Sequence, residues 1–372
     1  MDRDEYYMRL ALGLAAKGRG IVAPNPMVGA VIVKSDRIIG QGYHEKYGNP
    51  HAEVNAFDSV TEDVEGATIY VTLEPCSHYG KTPPCADLII QKKIKRVVVG
   101  SLDPNPLVSG RGVRKLQAAG IEVAAGVLAK ESQELNEVFM KFITTKQPFV
   151  VLKTAMSLDG KIATRTGASK WISGEESRKR VHQERGYLSG IMVGINTVLR
   201  DDPKLTARIP GSKNPVRIVV DSQLRIPLDA NVVQQQTEAP TIILTTNKAD
   251  SEKRSLLTEK GITILTISER NGQVDLQDGM TKLGTRNIDS ILLEGGSELN
   301  YSALEAGIVD KVQMYIAPKI IGGSTSFTPV GGKGIEQLSE AFPVKRITTR
   351  TIGEDILIEG YLSESNYNKR GE

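Results

Sequence analysis

His51-Ala52-Glu53, then Glu74-Pro75-Cys76 and, after eight intervening residues, Cys85, bring one imidazole, two thiols and a spare carboxylate into the early part of a 372-residue chain. One imidazole and two thiolates supply three corners of a tetrahedral zinc shell. The fourth corner stays open, as a catalytic metal requires, whereas a structural zinc closes its shell with a fourth protein ligand. A carboxylate two residues from the histidine can manage the protons of a water held at that corner. Cys76 and Cys85 are the only cysteines, so no other thiol competes for the assignment. A Cys76–Cys85 disulfide, or a purely structural zinc module, would leave Glu53 without a role.

The bulk composition narrows the rest. The length favours two domains over one core. Hydrophobic residues at 40% and charged residues at 24% are ordinary for a soluble globular protein. A net charge of +3 gives no reason to expect nucleic acid or an acidic membrane as partner. The opening Met1-Asp2-Arg3-Asp4-Glu5 lacks the apolar run of a signal peptide, and no stretch is apolar for long enough to span a bilayer. Two cysteines at metal-like spacing suit a reducing compartment, so the expected location is the cytoplasm.

Around the motif the chain alternates helical and extended patterns. Tyr7, Leu10, Ala11 and Leu14 recur at helical spacing, so residues 4–17 predict a helix. Residues 28–33 are apolar and β-branched, and 37–43 follow as a hairpin partner across Lys34-Ser35-Asp36. Residues 51–60 predict a helix and 68–73 a strand. Pro75 suits the first residue of a further helix, which would put Cys76 at a helix start. Strands at 96–100 and 121–127 flank a helix near 111–119. On a regular helix, residues two apart point in different directions, so periodicity alone does not bring His51 and Glu53 to one metal.

Residues 1–146 resemble the cytidine-deaminase-like α/β/α sandwich, through the His-x-Glu and Pro-Cys…Cys elements and through Asn25-Pro26-Met27-Val28-Gly29-Ala30. The likeness implies that His51, Cys76 and Cys85 hold one zinc ion and that Glu53 carries protons to the departing ammonia. Base and nucleoside deaminases commonly carry Pro-Cys-x-x-Cys. The longer Cys76–Cys85 loop instead resembles the deaminase half of the bifunctional riboflavin-biosynthesis deaminase/reductase family. That family likeness implies substrate contacts at Asn25, His44, Lys81 and Asn105, with Lys81 on a phosphate. By themselves His44 and Lys81 read equally well as solvated surface side chains. His78, between the cysteines, suits a pocket role better than a fourth ligand.

Leu135, Val138, Phe139 and Phe142 form a helical stripe that Lys146-Gln147-Pro148 breaks, and a β-rich run begins at Phe149. So short a linker predicts that domains 1–146 and 147–366 pack together. Strands are expected at 149–155, 189–194, 216–221, 241–245, 262–266, 290–294 and 312–317, and disorder in the polar tail from Ser363. Three strand ends carry polar or glycine-rich sequence: 194–197, Asp221-Ser222 and 294–299. Ligands of α/β sheets gather at such ends. No Gly-x-Gly-x-x-Gly follows a strand, so a Rossmann dinucleotide site is not indicated.

The stretches 153–161, 169–173, 201–203, 293–296 and 317–323 resemble the reductase half of the same family, which has a dihydrofolate-reductase-like α/β fold. The resemblance implies an NADPH pocket of Ala155, Trp171, Thr197, Asp201, Ser222 and the run Gly296, Ser297, Glu298, Leu299, Asn300, Tyr301 and Ser302. It places substrate against Lys153, Ser169, Arg185, Leu205, Arg208 and Glu294. Core packing is the plainer reading of Trp171 taken alone, and solvent exposure that of the two arginines. The expected partners are a small-molecule pyrimidine ribosyl phosphate and further copies of the chain in a homo-oligomer. The competing reading joins a zinc base or nucleoside deaminase to a non-catalytic, nucleotide-binding regulatory domain.

Overall fold

A computed structural model describes residues 2–79, 83–105 and 109–362. Lys81 and the polar tail from Ser363 lie outside the described residues. The chain divides into two compact units, Met1–Thr145 and Lys146–Glu372.

In the first unit β-branched runs supply the strands, and alternate residues of each run face opposite layers. Strands β1 (Gly29–Lys34), β2 (Arg37–Tyr43), β3 (Thr68–Leu73), β4 (Arg96–Ser101) and β5 (Glu122–Ala125) form a sheet ordered β2-β1-β3-β4-β5 among the described residues. β1 is antiparallel to β2 and β3, while β3, β4 and β5 run parallel. Val31, Val33, Tyr70 and Val98 pack with Tyr7, Met8 and Ala11 of helix α1 (Arg3–Ala15). Ala30, Ile32, Ile69, Val71, Val97 and Val99 face the other layer, made by α2 (Ala52–Asp58), α3 (Cys85–Gln91) and α4 (Arg111–Ala118). Helices α5 (Ala129–Leu135) and α6 (Glu137–Thr145) complete the expected α/β/α sandwich.

The second unit holds β6 (Phe149–Ser157), α7 (Glu175–Tyr187), β7 (Gly190–Gly194), α8 (Ile195–Asp201), β8 (Val216–Val220), α9 (Asn231–Gln234), β9 (Thr241–Thr245), α10 (Ser251–Glu259) and β10 (Thr263–Thr266). A two-strand ribbon follows, β11 (Glu269–Arg270) and β12 (Gln273–Val274), and then α11 (Leu276–Gly284), β13 (Ser290–Leu293), α12 (Ser297–Glu305), β14 (Lys311–Ala317), β15 (Lys345–Ile352) and β16 (Asp355–Tyr361). The main sheet is ordered β10-β9-β8-β7-β13-β6-β14-β16-β15 among the described residues. Its strands are parallel up to β14, and the β15–β16 hairpin is antiparallel. Leu152, Met192, Ile218 and Leu293 pack with Met280 and Leu283 of α11 and Ala303 of α12. On the opposite face Ile191, Val193, Val219 and Ile243 meet Val198 of α8, Val232 of α9 and Leu257 of α10.

The seven strands expected in this half are all present, with ends displaced by at most two residues. The closing hairpin was not anticipated. β15 is exposed along nearly its whole length, so its sequence has no buried face to impose an alternating pattern.

Candidate functional site

Because β1 is antiparallel to both its neighbours, the entry to β1 and the exits of β2, β3 and β4 lie at one edge of the first sheet. Asn25 precedes β1, His44 follows β2, Cys76 follows β3 and Asn105 follows β4. Helices α2 and α3 begin at the same edge. His51 is the extended residue capping α2, with φ −71° and ψ 163°, and Glu53 sits in the first turn. The helical-spacing objection therefore does not apply, because His51 is not inside the helix.

The three expected ligands converge. The nitrogen and both sulfurs lie within 4.8 Å of one another, and no other such cluster of three His, Cys, Asp or Glu ligand atoms occurs among the described residues. His51 Nδ1 is 3.3 Å from Cys85 Sγ and 3.6 Å from Cys76 Sγ. Tetrahedral zinc with bonds of about 2.0 Å to nitrogen and about 2.3 Å to sulfur would set those atoms about 3.6 Å apart. The donor set and its spacing fit the ion. Both cysteines are free, which removes the disulfide alternative.

Cys76 departs from expectation, since no helix starts at Pro75. The helix begins instead at Cys85, with Pro84 as its extended cap, and the Cys85 N–H donates to Cys76 Sγ at 3.2 Å. Proton sharing with Cys85, followed by the His51 hydrogen bond, lowers the Cys76 pKa to about 4, while its partner Cys85 is pushed up. Glu53 is buried, and that burial, reinforced by the Cys76 charge, raises its carboxyl to about 7.

His44 is buried rather than solvated. Its Nε2 lies 3.2 Å from Asn25 Nδ2 and its Nδ1 3.0 Å from the Pro50 carbonyl. The ring packs edge-on to His51 with centroids 5.9 Å apart. Burial pulls its pKa down, so the neutral ring is favoured. His78 is exposed and outside the ligand cluster.

In the second unit, the exits of β6, β7, β8 and β13 bring another group of expected residues to one edge. Glu294 follows β13, beside Lys153 of β6 and beneath Arg185 of α7. Arg185 Nε donates to Glu294 Oε1 at 2.7 Å and Nη2 to Oε2 at 3.0 Å, and Lys153 Nζ donates to Oε2 at 3.1 Å. Burial alone would raise the Glu294 pKa, but the two cations reverse this and hold it well below the carboxylate range. Arg185 Nη1 also donates to the Thr206 carbonyl at 3.1 Å. Leu205 beside it is buried, whereas Arg208 and Asp201 are exposed.

Gly296 caps α12 without a side-chain hydrogen bond, so first-turn N–H groups of Ser297 to Leu299 face the sheet edge without intrahelical partners. Asn300 is buried with its Oδ1 unpartnered, and its Nδ2 donates to the Pro329 carbonyl at 2.8 Å. Tyr301 is buried, and its hydroxyl donates to the Gly334 carbonyl at 2.9 Å. Thr197 lies on α8 close to Gly296, Ser222 follows β8, and Ala155 is partly buried on β6. Trp171 is no core residue: it is 61% exposed, with the Arg178 guanidinium 4.8 Å from its ring centroid. Lys319 Nζ donates to the Trp171 and Ile172 carbonyls at 3.0 and 2.8 Å, fixing the loop that also carries half-buried Ser169. Uncapped amides and an exposed indole fit a dinucleotide phosphate with a flat ring.

Fold and site together define a zinc deaminase unit joined to an α/β reductase unit. Family models match both: the cytidine and deoxycytidylate deaminase zinc-binding region over residues 1–101, and the RibD C-terminal domain over residues 148–358, more than half the chain. The riboflavin biosynthesis protein RibD of Actinobacillus pleuropneumoniae is 54% identical over 95% of this chain and 94% of its own, and that of Escherichia coli K12 41% identical over 96% and 98%. Among solved structures, the Thermotoga maritima diaminohydroxyphosphoribosylaminopyrimidine deaminase/5-amino-6-(5-phosphoribosylamino)uracil reductase is 38% identical, with a TM-score of 0.83 over 96% of this chain and 98% of that one. Acinetobacter baumannii RibD gives 36% identity and a TM-score of 0.86 over 97% and 99%. The chain belongs to the RibD family of riboflavin biosynthesis proteins. With both halves matching one two-domain family, the regulatory-domain alternative has no support.

Proposed function

We propose that this chain carries out two successive steps of riboflavin biosynthesis. Residues 1–146 remove the 2-amino group of 2,5-diamino-6-(5-phosphoribosylamino)pyrimidin-4(3H)-one by hydrolysis. Residues 147–366 then reduce the ribosyl side chain with NADPH, giving 5-amino-6-(5-phosphoribitylamino)uracil. The observation that carries the reading is the three-donor cluster with buried Glu53 beside it, in a chain similar to RibD proteins along nearly its full length.

His51, Cys76 and Cys85 would hold the zinc, which when bound supplies a water activated at neutral pH. Glu53, with a carboxyl near neutrality, takes a proton and returns it to the departing ammonia. Asn25, His44, Lys81 and Asn105 bind the pyrimidine and its phosphate. The His44 ring is oriented by the Pro50 carbonyl, so that Nε2 meets Asn25.

In the second unit NADPH supplies the hydride. Ala155, Trp171, Thr197, Asp201, Ser222 and residues 296–302 hold it, and Ser169, Leu205 and Arg208 bind substrate with the Lys153–Glu294–Arg185 group. Held ionised by two cations, Glu294 does not donate a proton at neutral pH. It orients Lys153 through the 3.1 Å hydrogen bond that its Oε2 accepts from Nζ.

No helix among the described residues is long and apolar enough to cross a membrane. The two free cysteines at ligand spacing favour the cytoplasm. A homo-oligomer is supported by the exposed edge strand β15, which carries exposed Ile347, and by exposed Leu338 close to it in sequence.

Mass spectrometry of zinc-loaded protein given the diaminopyrimidinone, with and without NADPH, tests the whole reading. Deaminated product alone without NADPH, and ribityl product with it, is the expected result. Deamination indifferent to NADPH would remove the reductase assignment, and no turnover by folded, zinc-loaded protein would remove the substrate.

A further inference from the structure

Glu74 does nothing in the chemistry above, yet it is buried and its carboxylate is saturated by main-chain donors. Oε1 accepts from the N–H groups of Gly112 and Val113 at 2.9 and 3.2 Å. Oε2 accepts from those of Gly110 and Asp103 at 2.9 and 3.2 Å. Its own N–H donates to the Ser101 carbonyl at 2.9 Å, extending the β3–β4 ladder by one residue.

The four donors need such a partner. Gly110, with φ +72°, caps α4 and has no side chain to satisfy the first turn. Glu74 supplies that cap from 36 residues away, and its charge also complements the positive end of the helix. The approach is close enough that a Cβ on Gly112 would overlap the Pro75 carbonyl oxygen. The start of α4 is thus clamped to the backbone between Glu74 and Cys76.

We propose that Glu74 is a positioning residue that holds the pyrimidine-contacting segment around Asn105 in register with the metal ligand Cys76. Two short connections carry this. In one direction Cys76 is two residues along the chain, and its carbonyl accepts from Ala86 N–H at 3.1 Å, next to the ligand Cys85. In the other, Asp103, bound through its N–H to Glu74, accepts the Asn105 N–H on Oδ1 at 2.8 Å. The Asn105 carbonyl then accepts the Ser109 N–H at 2.9 Å. One carboxylate therefore sets the distance between metal and substrate side chain without touching either. The inference rests on the deaminase reading of the first unit.

Glu74→Gln in the full chain is the decisive variant. The amide is nearly isosteric, but its NH2 must face one pair of N–H donors, so only one pair stays bonded. The expected result is a KM for the diaminopyrimidinone raised about tenfold or more, with a smaller change in kcat. Zinc should remain at one per chain, and reductase turnover of the deaminated compound should be unchanged. Hydrogen exchange at Gly110, Gly112 and Val113 should lose its protection, and Glu74→Ala should be worse on every deaminase measure. Unaltered KM in both variants overturns the proposal, as does a loss of kcat that follows zinc loss at constant KM. Loss of both activities together in Glu74→Gln makes Glu74 a folding residue and overturns it too. A wild-type chain that deaminates nothing removes the deaminase reading itself, which is a different failure.

Discussion

Arg185 and Glu294, 109 residues apart in sequence, meet as a two-point pair of guanidinium and carboxylate, with Lys153 donating to the same carboxylate. The side chains of all three are under 15% exposed. Removing one member strands charge in a poorly solvated place. Glu294→Ala should destabilise the second unit by about 3–5 kcal/mol, because two cations lose their counter-charge. Denaturant unfolding followed by a probe in that unit would measure the loss, and deaminase activity should persist under native conditions.

The same group sets an acid limit. Burial would raise the Glu294 pKa, but Arg185 and Lys153 reverse the shift, so the folded value lies below the ordinary 4.5. A depressed acid contributes stability that is complete above the unfolded pKa and is lost as pH falls below it. The thermal midpoint of the second unit should therefore fall on acidification below pH 4.5, more steeply in the wild type than in Glu294→Gln. Parallel melting curves from pH 7 to pH 3 in the two proteins would contradict this.

Glu53 separates chemistry from metal binding. Glu53→Gln keeps the size of the side chain and leaves His51, Cys76 and Cys85 in place. Deamination should fall by about 10²–10⁴-fold, the usual worth of a positioned proton carrier. Zinc content and reductase turnover of the deaminated compound should hold at wild-type levels. Full deamination by the variant would mean that another group moves the proton.

These residues differ in how far the sequence exposes them. His51, Glu53, Cys76 and Cys85 are legible because few other arrangements explain a histidine, an acid and the only two cysteines at those spacings. Their geometry is less so. Helical periodicity cannot describe His51, which caps its helix in extended conformation, and Pro84 rather than Pro75 precedes the helix that carries a cysteine. The buried apolar strands of both sheets announce themselves, whereas β15, exposed along nearly its whole length, has no such pattern to read. Glu74 is invisible for another reason: its partners are main-chain N–H groups 29 to 39 residues away, and a backbone amide leaves no mark on residue type.

Trp171 is the sharpest test of the cofactor pocket, because its two readings predict different observables. A core tryptophan replaced by alanine costs about 3–5 kcal/mol, whereas a surface one costs within about 0.5 kcal/mol. At 61% exposure, held by main-chain bonds to Lys319 and stacked only under Arg178, the ring belongs to the second class. Trp171→Ala should therefore leave the thermal midpoint almost unmoved. If the exposed indole is a platform for the nicotinamide nucleotide, its loss should raise the KM for NADPH by about tenfold, the worth of one aromatic stacking contact. The KM for the pyrimidine in the deaminase reaction should not change. A stable variant with wild-type KM for NADPH would take Trp171 out of the proposed cofactor pocket.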